Sequence, residues 1–142
     1  MKAISLWQPW ASLVATRNKW VETRSWQTPY RGPILIHAAR RKVTRDEREY
    51  FESVAAFQDA MRMGEISWDT MPYGQMVALA VLGRVVPTEA IRDAIPDMEY
   101  AFGDYSNGRW AWVFTRIDPI DPFPYKGERG LFDLPYGLTI PR

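Results

Sequence analysis

The stretch Gln75–Val86, QMVALAVLGRVV, does most to constrain what this chain can fold into. It is an apolar run of valine, alanine and leucine, broken by Gly83 and Arg84 and closed by Pro87. A strand that is apolar on both faces has to be covered on both, which puts it at the centre of a sheet. Shorter strand candidates surround it in sequence: Lys2–Leu6, Trp20–Arg24, Pro33–Ala38, Trp110–Thr115 and Ile120–Tyr125, the last two separated by an Asp-Pro turn. Many short strands with few helices predict a small β-barrel, closed or nearly closed, because closure removes exposed edges.

Helices enter at two places. Gln8-Pro9 opens the first, near residues 9–17, with proline in the first turn where its missing N–H costs nothing; Trp10, Leu13 and Val14 then share its apolar face. Thr44-x-x-Glu47 is a capping-box pattern, and the residues from there to about Met63 lack proline and glycine. A helix over 46–62 follows, with Tyr50, Phe51, Val54 and Phe57 as its buried stripe. Thr88–Ile91 reads as a short capped turn of helix. The fold class is therefore α+β, a small barrel flanked by helices, and 142 residues fit one domain spanning 1–142.

Composition then narrows the chemistry. There is no cysteine and one histidine, His37, so disulfides, thiolate metal sites, a cysteine nucleophile and a multi-histidine metal centre are all excluded. No metal or cofactor is expected. No signal peptide and no membrane-length apolar segment is evident, which makes the cytoplasm the expected compartment. A monomer is expected. Residues 1–48 carry ten Lys/Arg against three Asp/Glu, while the remainder carries eight against fourteen. A basic third of this kind fits an anionic partner such as nucleic acid.

That same third concentrates aromatics. Ser5–Ala39 holds Trp7, Trp10, Trp20 and Trp26 together with Arg17, Lys19, Glu22, Arg24, Arg31 and His37. Trp7 and Trp26 sit among polar or proline neighbours, and planar rings beside cations can stack a nucleobase while holding a phosphate. Trp10, on the apolar helix face, reads as structural, as do Trp110 and Trp112 on one face of a strand. His37 shares strand parity with Leu35 and reads as a satisfied, partly buried histidine. Arg40-Arg41-Lys42 is a solvated helix start that can also lengthen a phosphate-binding surface. Lys126 and Arg129 flank Gly127 and Gly130, a loop able to offer backbone N–H groups and two cations to an anion, or simply a turn.

Three blocks carry a family resemblance: Gln8-Pro9-Trp10-Ala11 within Ser5–Ala15; Lys19-x-x-Glu22-x-Arg24 followed by Ser25-Trp26 and Tyr30-Arg31-Gly32; and Gly108-Arg109-Trp110-Ala111-Trp112 with Lys126-Gly127-x-x-Gly130-Leu131-Phe132. In this order and spacing they resemble the ASCH (activating-signal-cointegrator homology) domains of the PUA-like superfamily. The family signature reads Gly-x-Lys-x-x-Glu-x-Arg, and here Arg17 stands at the glycine. The resemblance implies a PUA-like barrel whose cleft receives RNA, single-stranded nucleic acid or a nucleotide. Nucleic-acid-binding candidates are then Trp7, Gln8, Lys19, Glu22, Arg24, Trp26, Arg31, Arg109, Lys126 and Arg129.

Two other readings stay open. Some small proteins similar to this family deacetylate acetylcytidine with a lysine, a threonine and a glutamate, and others are thought to cleave RNA. Lys19 matches that lysine, but the threonine position falls on Glu22, which removes the hydroxyl nucleophile. Lys19 and Glu22 would be the catalytic pair if the chain is an enzyme acting on RNA or a modified nucleoside. A protein-interaction adaptor would instead show an exposed apolar patch.

Overall fold

The computed structural model describes residues 1–141. In chain order the elements are β1 (Lys2–Leu6), α1 (Trp10–Ala15), β2 (Val21–Arg24), β3 (Gly32–Ala38), α2 (Arg45–Glu52), α3 (Ala55–Arg62), β4 (Gln75–Pro87), α4 (Thr88–Ile91), α5 (Asp97–Ala101), β5 (Trp110–Pro124) and β6 (Leu131–Asp133). The strands form one sheet in the order β2-β5-β4-β3-β1-β6, with the apolar strand β4 in its middle. All neighbours are antiparallel except β1 and β3, which run parallel in the register Lys2↔Ile34 to Leu6↔Ala38. The sheet curls into a half-barrel flanked by helices. Its terminal strands, β2 and β6, share no hydrogen-bond ladder.

The expected pair of strands at the C-terminal end is one strand, β5, that runs through Asp118-Pro119 without turning. The reason is positional. β2 pairs only with Trp110–Val113, so beyond that stretch one edge of β5 has no ladder partner, and Pro119, Pro122 and Pro124 fall there. The helix expected over 46–62 is likewise two helices, broken at Ser53-Val54. Phe51 and Phe57 lie six residues apart and would diverge on one straight helix. The break lets both rings enter a single cluster with Leu13 and Phe102. Tyr50, expected in the buried stripe, is half exposed instead.

Four apolar clusters hold the fold together, one of them joining Val21 of β2 and Ala111 of β5 to Ile91 and Tyr105. Inside the curl, Ile4, Leu6, Ile34, Ile36, Ala80 and Trp112 pack against Ala11 and Val14 of α1. The α2–α3 cluster closes one end. On the outer face Ala3, Leu35, Met76 and Phe132 lie beneath the C-terminal segment, and His37 meets the edge of Phe132. α1 itself is short because Arg17 reverses the chain with a left-handed backbone, φ 62°. That reversal delivers Lys19 to the barrel interior and starts β2. No helix among the described residues is long and apolar enough to cross a membrane.

Candidate nucleic-acid cleft

Where β2 meets the α2 end of the barrel, a cleft of about 460 Å³ opens to solvent. Its floor is the Glu22–Arg24 strand together with Ser5; one wall is Trp7, Trp10, Tyr50 and Phe51, and the other is the segment Ala101–Asp104 with Arg109. Strand parity aims Glu22 inward beside Trp112, its register partner. The Glu22 carboxylate, in a residue only 9% exposed, accepts from the Arg24 guanidinium at 3.0–3.1 Å. Arg24 Nη2 also donates to the Ser5 carbonyl at 2.7 Å, so one guanidinium spans from β2 to β1. Opposite, Arg109 lies 3.5 Å from Asp104 Oδ2 and donates to the Thr23 carbonyl. Two guanidiniums and two carboxylates thus balance one another within the cleft.

Beneath them Lys19 is completely buried. Its ammonium donates to the carbonyls of Val21 and of Phe102, the latter at 3.0 Å, and lies 3.6 Å from Glu22 Oε1. Glu99 comes from the far side: its carboxylate accepts the Trp20 and Val21 amides at 2.9–3.1 Å. Burial raises the Glu99 carboxyl above its ordinary range, against the opposing pull of the Lys19 charge and those amides. Lys19 is therefore the pin that holds the 99–104 wall to β2. Its position follows from the turn at Arg17, and it presents no donor to the cleft.

The remaining candidates divide. Trp7, 52% exposed, stands at the rim with the Arg41 guanidinium 3.8 Å from its ring centre. Arg41 is held there by a bidentate bridge to Glu47 at 2.9 and 3.0 Å. Trp26, 37% exposed, lies outside the cleft, edge-on to Trp112 and against Gly130. Gln8 is buried, bonded to Ser12 and to the Pro72 carbonyl, and braces α1. Arg31 folds back on the Thr28 and Tyr30 carbonyls and closes the β2–β3 turn. Lys126 and Arg129 project from the β5–β6 loop. Trp7, Glu22, Arg24 and Arg109 are thus brought together, whereas Gln8, Lys19 and Arg31 serve the scaffold and Trp26, Lys126 and Arg129 lie outside.

Sequence reasoning missed Tyr50, Thr23, Asp104 and Glu99 as parts of the site. Tyr50 looked like core, yet its hydroxyl reaches the Ala101 carbonyl at 2.8 Å and fixes its ring as a wall. The 97–104 wall carried one signal, Pro96, which stands at the position just before α5. His37, as expected, is nearly buried and bonded at both nitrogens, Nδ1 to Ser5 Oγ at 3.0 Å and Nε2 to the Tyr125 carbonyl at 2.8 Å.

A curled half-barrel sheet flanked by helices is also the fold of crystal structures of an ASCH protein from Zymomonas mobilis. The wild-type form aligns with a TM-score of 0.56 at 18% identity, covering 95% of this chain and 87% of that one. A tyrosine-to-phenylalanine variant aligns with a TM-score of 0.57, covering 95% and 90%. The chain belongs to the ASCH domain family, whose sequence pattern matches residues 4–123. It is 48% identical over 135 residues to human activating signal cointegrator 1, and 46% identical to the mouse protein. Those alignments cover 92% of this chain but 22% of each relative, so the chain spans about a fifth of their length. Family membership places it among domains associated in general with nucleic acid or RNA.

Proposed function

We propose that this domain binds single-stranded or locally opened nucleic acid, RNA in the first instance, by taking one unstacked base into the cleft against Trp7. The observation that carries the reading is the combination at the rim and floor. Trp7 offers a half-exposed ring backed by Arg41, above a carboxylate–guanidinium pair, Glu22 and Arg24. A stacking face gives affinity that tolerates any base, while acceptor and donor groups at the floor can meet the hydrogen-bonding edge of a neutral base. Balanced charge within the cleft suits a base better than a bare phosphate. The reading needs no cofactor and no second copy of the chain.

Binding is favoured over turnover by one feature of Lys19. Its side-chain nitrogen is fully buried, donates to two backbone carbonyls and faces Glu22 from below, so it does not line the cleft where a substrate would sit. Titration of labelled single-stranded RNA at low salt tests the proposal. Trp7→Ala should weaken binding by about 1–3 kcal/mol, the size of one lost stacking contact. Equal affinity in wild type and Trp7→Ala, or no binding by the wild type, would sink it.

A further inference from the structure

We infer that the nucleic acid held by the cleft continues onto a second surface, a cationic shelf made by Arg40 and Lys42 on the Tyr73-Gly74 turn with Lys126 beside it, which takes the phosphates flanking the bound base. The inference rests on the cleft reading for the class of ligand. It begins from charge: the cleft's two guanidiniums are matched by Glu22 and Asp104, so the phosphates on either side of the bound base need other partners.

Along the chain from β3 into α2, most cations are already engaged. Arg41 is bridged to Glu47, Arg45 to Glu49 and Arg48 to Glu52. Arg40 and Lys42 are exposed and, among the described residues, have no carboxylate partner. Both are nevertheless held in place. The Arg40 side chain lies across Gly74, where a Cβ would fall 3.0 Å from its Cγ and 3.1 Å from its Nε, so glycine at φ +65° makes the seat. The Lys42 ammonium rests 3.8 Å from the centre of the Tyr73 ring.

Lys126 joins them through the backbone. The Tyr125 amide donates to the Gly74 carbonyl at 3.0 Å, which sets residue 125 against the turn that carries Arg40 and puts Lys126 next in the chain. Arg41, between Arg40 and Lys42 in sequence, turns the other way and stacks on Trp7. Arg41 thus links the two surfaces: it stacks on Trp7 at the cleft rim, and its chain neighbours Arg40 and Lys42 form the shelf.

Two labelled single-stranded RNAs, a trinucleotide and a dodecamer containing it, distinguish the two surfaces by anisotropy over a range of salt. In the Arg40→Ala/Lys42→Ala double variant the dodecamer should bind about tenfold more weakly at low salt. The slope of its log affinity against log salt should drop by about 1.4, from two lost phosphate contacts at about 0.7 each for a single strand. The trinucleotide should stay within about twofold of wild type, since it is too short to reach the shelf's counterions. Arg84→Ala, which removes an exposed cation at the opposite end of β4, should change neither.

An unchanged dodecamer slope in the double variant overturns the shelf while leaving the cleft intact. Trp7→Ala should weaken both RNAs; if it weakens neither while the double variant still loses the dodecamer, the shelf stands and the cleft reading falls. Displacement of the dodecamer by poly-glutamate as readily as by unlabelled RNA would overturn the shelf as a nucleic-acid surface. Failure of both RNAs to bind wild type overturns both.

Discussion

At the scale of single residues, Arg17 and Lys19 show how one turn sets the site. Arg17 holds φ 62°, a conformation that costs an ordinary side chain about 1–2 kcal/mol. The family pattern has glycine at this position. Here the cost is offset by tethers: Arg17 Nε donates to the Ile117 carbonyl at 2.8 Å, and the guanidinium lies 3.7 Å from Asp118. Arg17→Ala keeps the strain and loses the tethers, so it should cost about 1 kcal/mol in urea denaturation. Arg17→Gly loses the same tethers but relieves the backbone, so it should be more stable than Arg17→Ala by about 1 kcal/mol. Equal stability of the two variants would mean the turn is unstrained. Lys19→Met would leave Glu99 buried without a nearby cation, Glu22 with Arg24 alone and two carbonyls without a donor, at a cost of about 3–5 kcal/mol. A stability loss below about 1 kcal/mol would contradict the pin assigned to Lys19. Because of that pin, weaker binding by a Lys19 variant reports on the wall it anchors.

At the scale of elements, what could be read in the sequence is what is local. The Thr44–Glu47 capping box forms as its spacing predicts, because both partners lie within one turn. β4 is central because its composition allows nothing else. The α2–α3 break and the burial of Lys19 were not legible, since each is decided by partners far along the chain. Phe102, whose carbonyl receives Lys19, lies 83 residues away. Within the site, the rim position of Trp7 was foreshadowed by its polar neighbours, whereas Arg31 looked the same in sequence and turned inward to its own loop. The β5–β6 loop gives an element-scale prediction. A Cβ at Gly127 would fall 2.2 Å from His37 Cε1 and 2.9 Å from Ser5 Oγ, inside the packing of a nearly buried ring. Gly127→Ala should destabilise by about 1–3 kcal/mol, read as a lower thermal midpoint, because the loop must lift to make room. An unchanged midpoint would show that the loop is not seated on His37.

At the scale of the molecule, charge and pH dependence follow from how the fold redistributes the basic third of the sequence. Lys2 meets Asp133, Arg17 meets Asp118 and Arg24 meets Glu22, so much of that charge is neutralised. His37 adds a pH dependence. Burial lowers its pKa, the Tyr125 carbonyl opposes this, and nearby Arg40 lowers it further, so the native ring resists a proton that the unfolded chain accepts. Its contribution to stability is complete above the unfolded pKa of about 6.5 and is lost as the pH falls below that value toward the native pKa. Denaturation midpoints of wild type and His37→Gln between roughly pH 8 and pH 5 should therefore converge as the pH falls. Parallel curves would show that His37 takes its proton equally in both states. The gap between β2 and β1 is spanned by Arg24 on the Ser5 carbonyl and flanked by Trp26 on Gly130. A wall laced by a ladder parts only by unzipping many bonds in sequence; a wall fastened by one side chain yields to any better acceptor offered to that side chain. The fastening and the cleft floor share one guanidinium, so Arg24→Ala removes at a stroke the tie between β2 and β1 and the cation that holds the Glu22 carboxylate.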